Sequence, residues 1–294
     1  MNKVGFIGVG IMGKSMVRNL MKAGFELHIY ARTKSKVEDV ISEGAQFHES
    51  IKDCVQDCDA VITIVGFPQD VEEVYFDEGN ILDSAKEGAY LIDMTTTSPQ
   101  IAEKIYAEGT KRGFHVMDAP VTGGDTGAKA GTLSILVGGE KEDYEACMPL
   151  FEAMGTNINY QGKAGCGQHC KLANQIMIAG TLSGVCEALT YAKEQGLDPE
   201  VFMKSVVTGA AGSKQLDTFG PKILKDDYAP GFFIKHFIKD MKLALIEANR
   251  KGLSLDVLSM VLANYEELEQ EGYGDLGTQA LMKFYDEEHR NTEE

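Results

Sequence analysis

The sequence is poor in positive charge. Its 294 residues include 28 Lys and Arg against 45 Asp and Glu, which gives a formal net charge of −17. A nucleic-acid-binding surface needs clustered cations to offset phosphate repulsion, and the sequence contains no basic stripe. The composition therefore argues against a nucleic-acid partner. It also means that any anionic ligand must be held by a few local cations.

We expect neither a leader nor a membrane span in this sequence. Strand-forming residues begin at Lys3, which leaves no room for a signal peptide, so we expect a cytoplasmic protein. The longest weakly charged stretch, Leu172 to Tyr191, is long enough to cross a membrane but contains Glu187 and several polar side chains. This content favours a buried helix, and no membrane partner is expected.

Cysteines are few and do not form a metal-binding pattern. None of the six lies in a C-x-x-C motif. Cys166, His169 and Cys170 come nearest to a ligand set, but no fourth ligand is evident. We therefore predict reduced thiols and no metal site.

A glycine motif stands out where the chain begins. Gly8-Val9-Gly10-Ile11-Met12-Gly13 follows the apolar run Val4 to Ile7 and leads into a helical pattern that ends near Gly24. In this context Gly8 permits the tight turn, Gly10 lets backbone approach a pyrophosphate, and Gly13 lets helix and strand pack closely. The free N–H groups at Ile11 and Met12 face the anion. The motif predicts a dinucleotide site.

The acid that often follows such a motif is missing. The second strand, Phe25 to Tyr30, runs instead into Ala31-Arg32-Thr33-Lys34-Ser35-Lys36. Arg32 can bind a phosphate with two N–H groups, Thr33 can donate from its hydroxyl and backbone, and Lys34 and Lys36 add positive charge. We predict a 2′-phosphate pocket, hence NADP(H) rather than NAD(H). The alternative is a solvated basic turn at a helix start.

Apolar runs alternate with helical patterns, such as Ser35 to Ser42 and Ile101 to Lys111, through the first half of the chain. This alternation predicts an α/β domain of the Rossmann type, with a doubly wound, mostly parallel sheet. Past Tyr160 the pattern becomes helical, which predicts an all-α second domain. We place the domains at 1–163 and 164–294, because three glycines lie between Gly162 and Gly167. The six predicted strands are Val4–Ile7, Leu27–Tyr30, Ala60–Val65, Ala89–Ile92, His115–Met117 and Leu133–Val137.

Two further groups of residues could perform chemistry. Lys171, Asn174 and Gln175 are spaced to share one face of a largely apolar helix, where a partly desolvated ammonium can exchange a proton with a reacting group. The alternative is a lysine that snorkels at a helix end. In the run from Asp118 to Gly124, a hydroxyl at Thr122 and two glycine N–H groups can bind a carboxylate, or the run is a flexible connection.

These motifs together resemble the β-hydroxyacid dehydrogenase family, which includes 3-hydroxyisobutyrate dehydrogenases and tartronate semialdehyde reductases. The resemblance rests on the glycine motif, the Asp118 to Gly124 run, the pattern Gly165-x-Gly167-x-x-x-Lys171-x-x-Asn174-Gln175, and Lys239-Asp240, and it covers nearly the whole chain. It implies a Rossmann domain followed by a helical domain, as in 6-phosphogluconate dehydrogenase. It also implies a homodimer or homotetramer packed through the helical domain.

The resemblance assigns roles to individual residues. Lys171 is implied as the acid/base, with Asn174 orienting a small anionic substrate whose carboxylate is held by Thr122, Gly123 and Gly124. The implied reaction is hydride transfer between the nicotinamide and a semialdehyde or hydroxy acid. The resemblance further places Gln175 at the substrate, Asp240 at the cofactor and Lys239 at both. It also implies that Asp93-Met94-Thr95-Thr96 is a loop near the nicotinamide, with Thr96 as the contact.

Departures from the family pattern bear on the substrate. Thr122 replaces the usual serine, Gln175 stands where many members have asparagine, and Ala31 replaces a frequent asparagine. Two rival functions are a non-catalytic NADP-binding protein and an imine reductase. Lys171 argues against both, because the resemblance implies loss of this lysine in the first and Asp or Tyr in the second. A 6-phosphogluconate dehydrogenase would normally have a much longer helical domain.

Overall fold

A computed structural model describes residues 1–286 of the chain. The chain divides into two compact units, residues 1–171 and a second unit that starts at Leu172. Each unit has its own hydrophobic core.

The first unit is built on one sheet. Its strand order is β3-β2-β1-β4-β5-β6-β8-β7, with β9 paired to β8. The first six strands are parallel, whereas β8 runs antiparallel to β6 and β7 and parallel to β9. The strands are β1 (Lys3–Ile7), β2 (Glu26–Tyr30), β3 (Gln46–His48), β4 (Ala60–Thr63), β5 (Tyr90–Asp93), β6 (His115–Asp118), β7 (Val121–Thr122), β8 (Leu133–Gly139) and β9 (Gly155–Gly162).

Helices cover both faces of this sheet. Successive strand residues point to opposite faces, so Phe6 enters one core cluster while Ile7 enters another. This arrangement confirms the predicted doubly wound α/β fold. The helices confined to this unit are α1 (Ile11–Lys22), α2 (Glu38–Ser42), α3 (Ile51–Val55), α4 (Pro68–Phe76), α5 (Ile81–Ser84), α6 (Pro99–Lys111), α7 (Gly124–Ala130), α8 (Lys141–Ala146) and α9 (Met148–Met154).

The pattern analysis missed three strands and one helix break. β3 and β7 are only three and two residues long. β9 is polar and largely exposed, so it lacks the apolar run that marks a buried strand. The helix predicted from Ser35 to Ser42 is wrong in detail, because a short 3₁₀ turn precedes α2.

The second unit is helical, as predicted. Among its described residues there is no strand, and the one isolated bridge joins Phe233 to Gly277. Helix α12 was not predicted, because Pro221 lies inside it. The helices are α10 (Cys166–Glu194), which begins in the first unit, α11 (Pro199–Val206), α12 (Lys214–Ile223), α13 (Ile234–Arg250), α14 (Asp256–Gln270) and α15 (Met282–Tyr285).

Helix α10 is less buried than its sequence indicates. By length and composition alone it could cross a membrane, but 44% of its apolar stretch is buried within the molecule. A core helix of a soluble protein can have the same length and composition. One face is exposed, with Met177 at 73% and Tyr191 at 67%. The prediction of a buried helix therefore holds for only part of its surface.

Candidate active site

The glycine turn, residues 8–13, is formed almost entirely by backbone. Gly8 has a φ of +97°, and a Cβ there would overlap the carbonyl oxygen of Ile64. A Cβ at Gly13 would overlap the carbonyl oxygen of Gly8. Gly10 differs, since no heavy atom lies within 4 Å of its Cβ position. Gly8 and Gly13 are thus required by the fold, whereas Gly10 leaves bare backbone facing open space.

The start of helix α1 suits an anion. No side chain in the described structure caps its N-terminus at Gly10, and its first turn contains no acidic residue. The N–H groups of Ile11, Met12 and Gly13 have no earlier turn of helix to bond to, and the helix dipole favours negative charge at this end. The turn therefore fits the pyrophosphate of a dinucleotide.

The basic turn, residues 31–36, lies beside the glycine turn. Strands β1 and β2 are paired in parallel with Ile7 opposite Tyr30, so both turns leave the same edge of the sheet. The Arg32 side chain is 74% exposed, and its Nη1 lies 3.3 Å from Asp70 Oδ1. Lys36 is exposed too. The structure thus brings Arg32, Thr33 and Lys36 to the same edge of the sheet as the glycine turn.

A third loop follows β5. Thr95 accepts a hydrogen bond from the Val65 N–H at 3.0 Å, which ties the predicted nicotinamide loop, Asp93 to Thr96, to the loop after β4. Asp93 is fully buried, and burial raises its pKa to about 6 despite hydrogen bonds from Thr95 and Thr63. Its Oδ2 has no hydrogen-bond partner among the described residues. This carboxyl is therefore poised to be neutral below pH 6.

The predicted carboxylate loop has a conformation that only glycine adopts easily. Thr122 ends β7, and Gly123 and Gly124 follow with φ of +127° and +65°. No heavy atom lies within 4 Å of the Gly124 Cβ position, so its backbone is open to a ligand. Thr122 pairs with Ser134 of the neighbouring strand β8, which fixes where the loop starts.

Lys171 is the last residue of the first unit. It lies on α10, and only 7% of its surface is exposed. A buried ammonium must be compensated by polar partners, so this position is unusual for a lysine without a role. Helix α10 continues without a break through Asn174 and Gln175, as the spacing predicts.

The polar residues of the second unit form a connected network. Asn174 Nδ2 donates to Gln175 Oε1 at 2.8 Å, and Gln175 Nε2 donates to Asp240 Oδ2 at 2.7 Å. Lys239 Nζ lies 3.0 Å from the other oxygen, Asp240 Oδ1. Asp240 is 1% exposed and therefore holds both Gln175 and Lys239 from inside the unit. The network brings together all four site residues predicted in this unit.

The contacts of two acidic side chains, Asp70 and Asp118, were not predicted from the sequence. Asp70, which pairs with Arg32, lies in the first turn of α4 and also accepts the Phe67 N–H at 2.9 Å. Asp118 stands at the head of the predicted carboxylate loop, but its own carboxylate accepts backbone N–H groups of residues Gly165 and Gln168. The pair of Asp70 with Arg32 and the two bonds to Asp118 leave no local signal, because these partners are 38 or more residues apart.

The cysteines are all free thiols, and burial raises the pKa of Cys54, Cys147 and Cys186. Within residues 1–286, no group of three or more His, Cys, Asp or Glu side chains is placed to hold a metal ion.

Comparison with known proteins identifies the family. The NAD binding domain of 6-phosphogluconate dehydrogenase matches residues 3–162, and the NAD-binding region of NADP-dependent 3-hydroxyisobutyrate dehydrogenase matches residues 165–285. An uncharacterised oxidoreductase of Bacillus subtilis, YkwC, is 49% identical over 96% of this chain and 98% of its own. A 2-hydroxy-3-oxopropionate reductase of Escherichia coli is 38% identical over 86% of both chains.

Solved structures agree with this assignment. A 3-hydroxyisobutyrate dehydrogenase of Mycobacterium tuberculosis, solved with L-serine, superposes with a TM-score of 0.88 at 26% identity, covering 96% of this chain and 98% of that one. The two-domain fold, the nicotinamide cofactor and the small-molecule chemistry follow from these matches. The chain belongs to the β-hydroxyacid dehydrogenase family, NAD(P)-dependent oxidoreductases that act on the CH–OH group of small hydroxy acids.

Proposed function

We propose that this protein is an NADPH-dependent reductase of small semialdehyde acids, with Lys171 as the general acid. The observation that carries the proposal is a lysine only 7% exposed, on a helix that continues into the polar network of Asn174 and Gln175. The relatives support the reaction class, since one is named for reduction of 2-hydroxy-3-oxopropionate.

The cofactor is proposed to bind along the edge of the sheet formed by the glycine and basic turns. Gly8, Gly10, Ile11, Met12 and Gly13 hold the pyrophosphate through backbone. When bound, the nicotinamide supplies a hydride from its C4 in reduction and accepts one in oxidation. The proposed 1–163 domain contains this whole surface.

NADP preference is proposed from the basic turn. An exposed guanidinium beside Thr33 and Lys36 can bind a 2′-phosphate in two-point fashion, and the turn offers no carboxylate to a ribose 2′-hydroxyl. The two matched family descriptions name NAD and NADP respectively, so the preference rests on these residues.

The substrate is proposed to be a small carboxylate with a carbonyl. The Thr122 hydroxyl and the N–H groups of Gly123 and Gly124 bind its carboxylate, Asn174 and Gln175 orient it, and Lys239 adds positive charge. The Lys171 ammonium protonates the developing alkoxide oxygen during reduction, and the neutral amine takes the proton back during oxidation. Thr96 and Asp240 are proposed to contact or position the cofactor.

The proposal also covers the oligomeric state and the cellular location. The exposed apolar side chains Met177 and Tyr191 support a homodimer or homotetramer packed through the helical domain, residues 164–294. We propose a cytoplasmic enzyme without nucleic-acid or membrane partners. Sedimentation of the wild type and of Met177→Glu tests the assembly.

A substrate panel tests the reaction. Glyoxylate and succinic, tartronate and methylmalonate semialdehydes are offered with NADPH and NADH, and L-serine and 3-hydroxyisobutyrate are offered with NADP⁺ and NAD⁺. Lys171→Ala should lower kcat by about 10²–10⁴-fold while leaving the NADPH Kd unchanged. The matched control is Lys163→Ala, an exposed lysine on the same unit.

Each contrary result points to a particular alternative. Retained turnover in Lys171→Ala overturns the acid/base role. NADPH binding without turnover of any panel member favours a binding protein. Reduction of a cyclic imine in preference to the acids favours an imine reductase.

A further inference from the structure

We propose that Gln168 is a positioning residue for the active site, linking the helix that carries Lys171 to the predicted nicotinamide loop. Gln168 lies in the first turn of α10 and is completely buried. Its contacts with Thr95, Thr97 and Asp118 all lie within the first unit. The inference rests on the proposed function, because it assigns Lys171 and Thr96 to one site.

Both polar atoms of the Gln168 side chain bond to the backbone of one loop. Its Nε2 donates to the Thr95 carbonyl at 2.7 Å, and its Oε1 accepts the Thr97 N–H at 3.0 Å. The amide therefore binds the residues on either side of Thr96, as a neighbouring strand would. Two bonds to a planar group fix both the distance and the rotation of this loop.

The backbone of Gln168 is fixed as well. Its N–H donates to Asp118 Oδ2 at 2.8 Å, while the Gly165 N–H donates to Asp118 Oδ1 at 2.7 Å. Burial raises the pKa of Asp118, but these backbone donors favour its ionised form and it sits at a helix N-terminus, where negative charge is stabilised. Asp118 thus serves as a cap for α10 supplied by strand β6.

There is little room for this arrangement to shift. A Cβ at Gly138 would lie 2.6 Å from Asp118 Oδ1, and one at Gly167 would lie 2.7 Å from Asp118 Oδ2. The carboxylate is therefore enclosed by backbone on both sides. The start of α10 is fixed relative to β6, and through Gln168 relative to Thr95 and Thr97.

The three linked segments are those that carry proposed site groups. The loop holds Thr96, strand β6 leads to Thr122, and Lys171 follows Gln168 by three residues, about one helical turn. A displacement of about 1 Å between a proton donor and its acceptor can lower a rate by about 100-fold. Gln168 therefore acts on turnover through Lys171, without touching the substrate.

Two substitutions separate this role from simple stability. Gln168→Met keeps the length but removes both bonds, so kcat should fall about 10- to 100-fold while the NADPH Kd changes less than about 3-fold. The Thr97 amide should exchange with deuterium at least about 10-fold faster, because its acceptor is gone. The matched control is Gln161→Met, because Gln161 lies on strand β9 and is more exposed than Gln168. It should leave kcat, the NADPH Kd and the Thr97 exchange rate unchanged.

Gln168→Glu adds a readout that a structural role alone would not give. A protonated carboxyl can donate to the Thr95 carbonyl and accept the Thr97 N–H, as the amide does, whereas the ionised form cannot donate. Burial and the neighbouring Asp118 carboxylate favour the protonated form, and the ammonium of Lys171 opposes it. The ratio of its kcat to that of wild type should therefore rise as pH falls, and that of Gln161→Glu should not.

Three results would overturn the inference. The first is a kcat within about 2-fold of wild type in Gln168→Met, and the second is an unchanged Thr97 exchange rate in that variant. The third is a kcat ratio for Gln168→Glu that does not change with pH. This third measurement decides the question if Gln168→Met does not fold. If the wild type turns over no panel substrate, the proposed function fails. In that case the Thr97 exchange rate alone tests whether Gln168 holds the loop in place.

Discussion

The glycine turn and the basic turn lie at the same edge of one sheet, yet they are made in opposite ways. The glycine turn is backbone packed against backbone, with no space for a Cβ at Gly8 or Gly13. The basic turn depends on side chains, and Arg32 is 74% exposed with one carboxylate partner. Under the proposed function, the means of binding a dinucleotide is part of the fold, whereas the choice between NADP(H) and NAD(H) depends on exposed side chains.

Gly8→Ala should have the largest effect. The new Cβ overlaps the Ile64 carbonyl oxygen, and φ at this position is +97°, so unfolding free energy should fall by about 3 kcal/mol or more. Gly24→Ala is the matched control, since Gly24 has a similar φ of +93° but open space around it. It should cost about 1 to 2 kcal/mol in denaturant titrations. Equal losses would mean that backbone strain, and not packing, fixes the turn.

Gly10→Ala should separate folding from binding. The Gly10 Cβ position is open and its φ of −84° suits alanine, so stability should change by less than about 1 kcal/mol. The added methyl would stand where a pyrophosphate approaches, and the NADPH Kd should rise about 100-fold. Fluorescence titration of NADPH measures this. Unchanged binding would remove the glycine turn from the proposed cofactor site.

Arg32→Asp should change the preference and leave the fold intact. Loss of a charged donor to the 2′-phosphate should lower the ratio of kcat/KM for NADPH to that for NADH by about 10- to 100-fold. Lys34→Ala serves as control, because Lys34 is paired with Glu49. A ratio that stays constant in Arg32→Asp would show the basic turn to be only solvated.

Asp70→Asn should give the smallest effect, in the opposite direction. Asp70 lies 3.3 Å from Arg32 and competes with a phosphate for its guanidinium. Because exposed ion pairs are worth about 0.2–1 kcal/mol, NADPH should bind about 2- to 5-fold more tightly. Asp77→Asn, an exposed acid at the end of the same helix, removes the same charge without the contact. If both variants bind NADPH more tightly by the same factor, the cause is the change in net charge and not the contact with Arg32.

Contacts between neighbours in sequence could be predicted, and distant ones could not. The strand, glycine turn and first helix follow one another within 20 residues, so their pattern determines them. The Arg32 and Asp70 pair, and the bonds from Gln168 to Thr95 and Thr97, join residues 38 to 73 apart. No periodicity encodes such contacts, because only the folded sheet brings loops from separate strands together.

In the second half of the chain, the identities of individual residues were more informative than the hydrophobic periodicity. The spacing of Lys171, Asn174 and Gln175 predicted a helix, and α10 runs through all three. The bond from Gln175 to Asp240 was not predicted, since α13 lies more than 50 residues further on and the resemblance placed Asp240 only at the cofactor. Strand β9 was not predicted at all. Its residues are polar and largely exposed, although it pairs with β8 in the sheet.

The enclosure of Asp118 has a consequence for how this sequence can diverge. A side chain at Gly138 or Gly167 would collide with the carboxylate, and a shorter side chain at residue 118 would leave the N–H groups of Gly165 and Gln168 without acceptors. Drift at any one of these positions is harmful unless the others change with it. Among descendants of a common ancestor, positions 118, 138 and 167 should therefore vary together or stay fixed. Packing places no such restriction on position 32, because the Arg32 side chain is exposed.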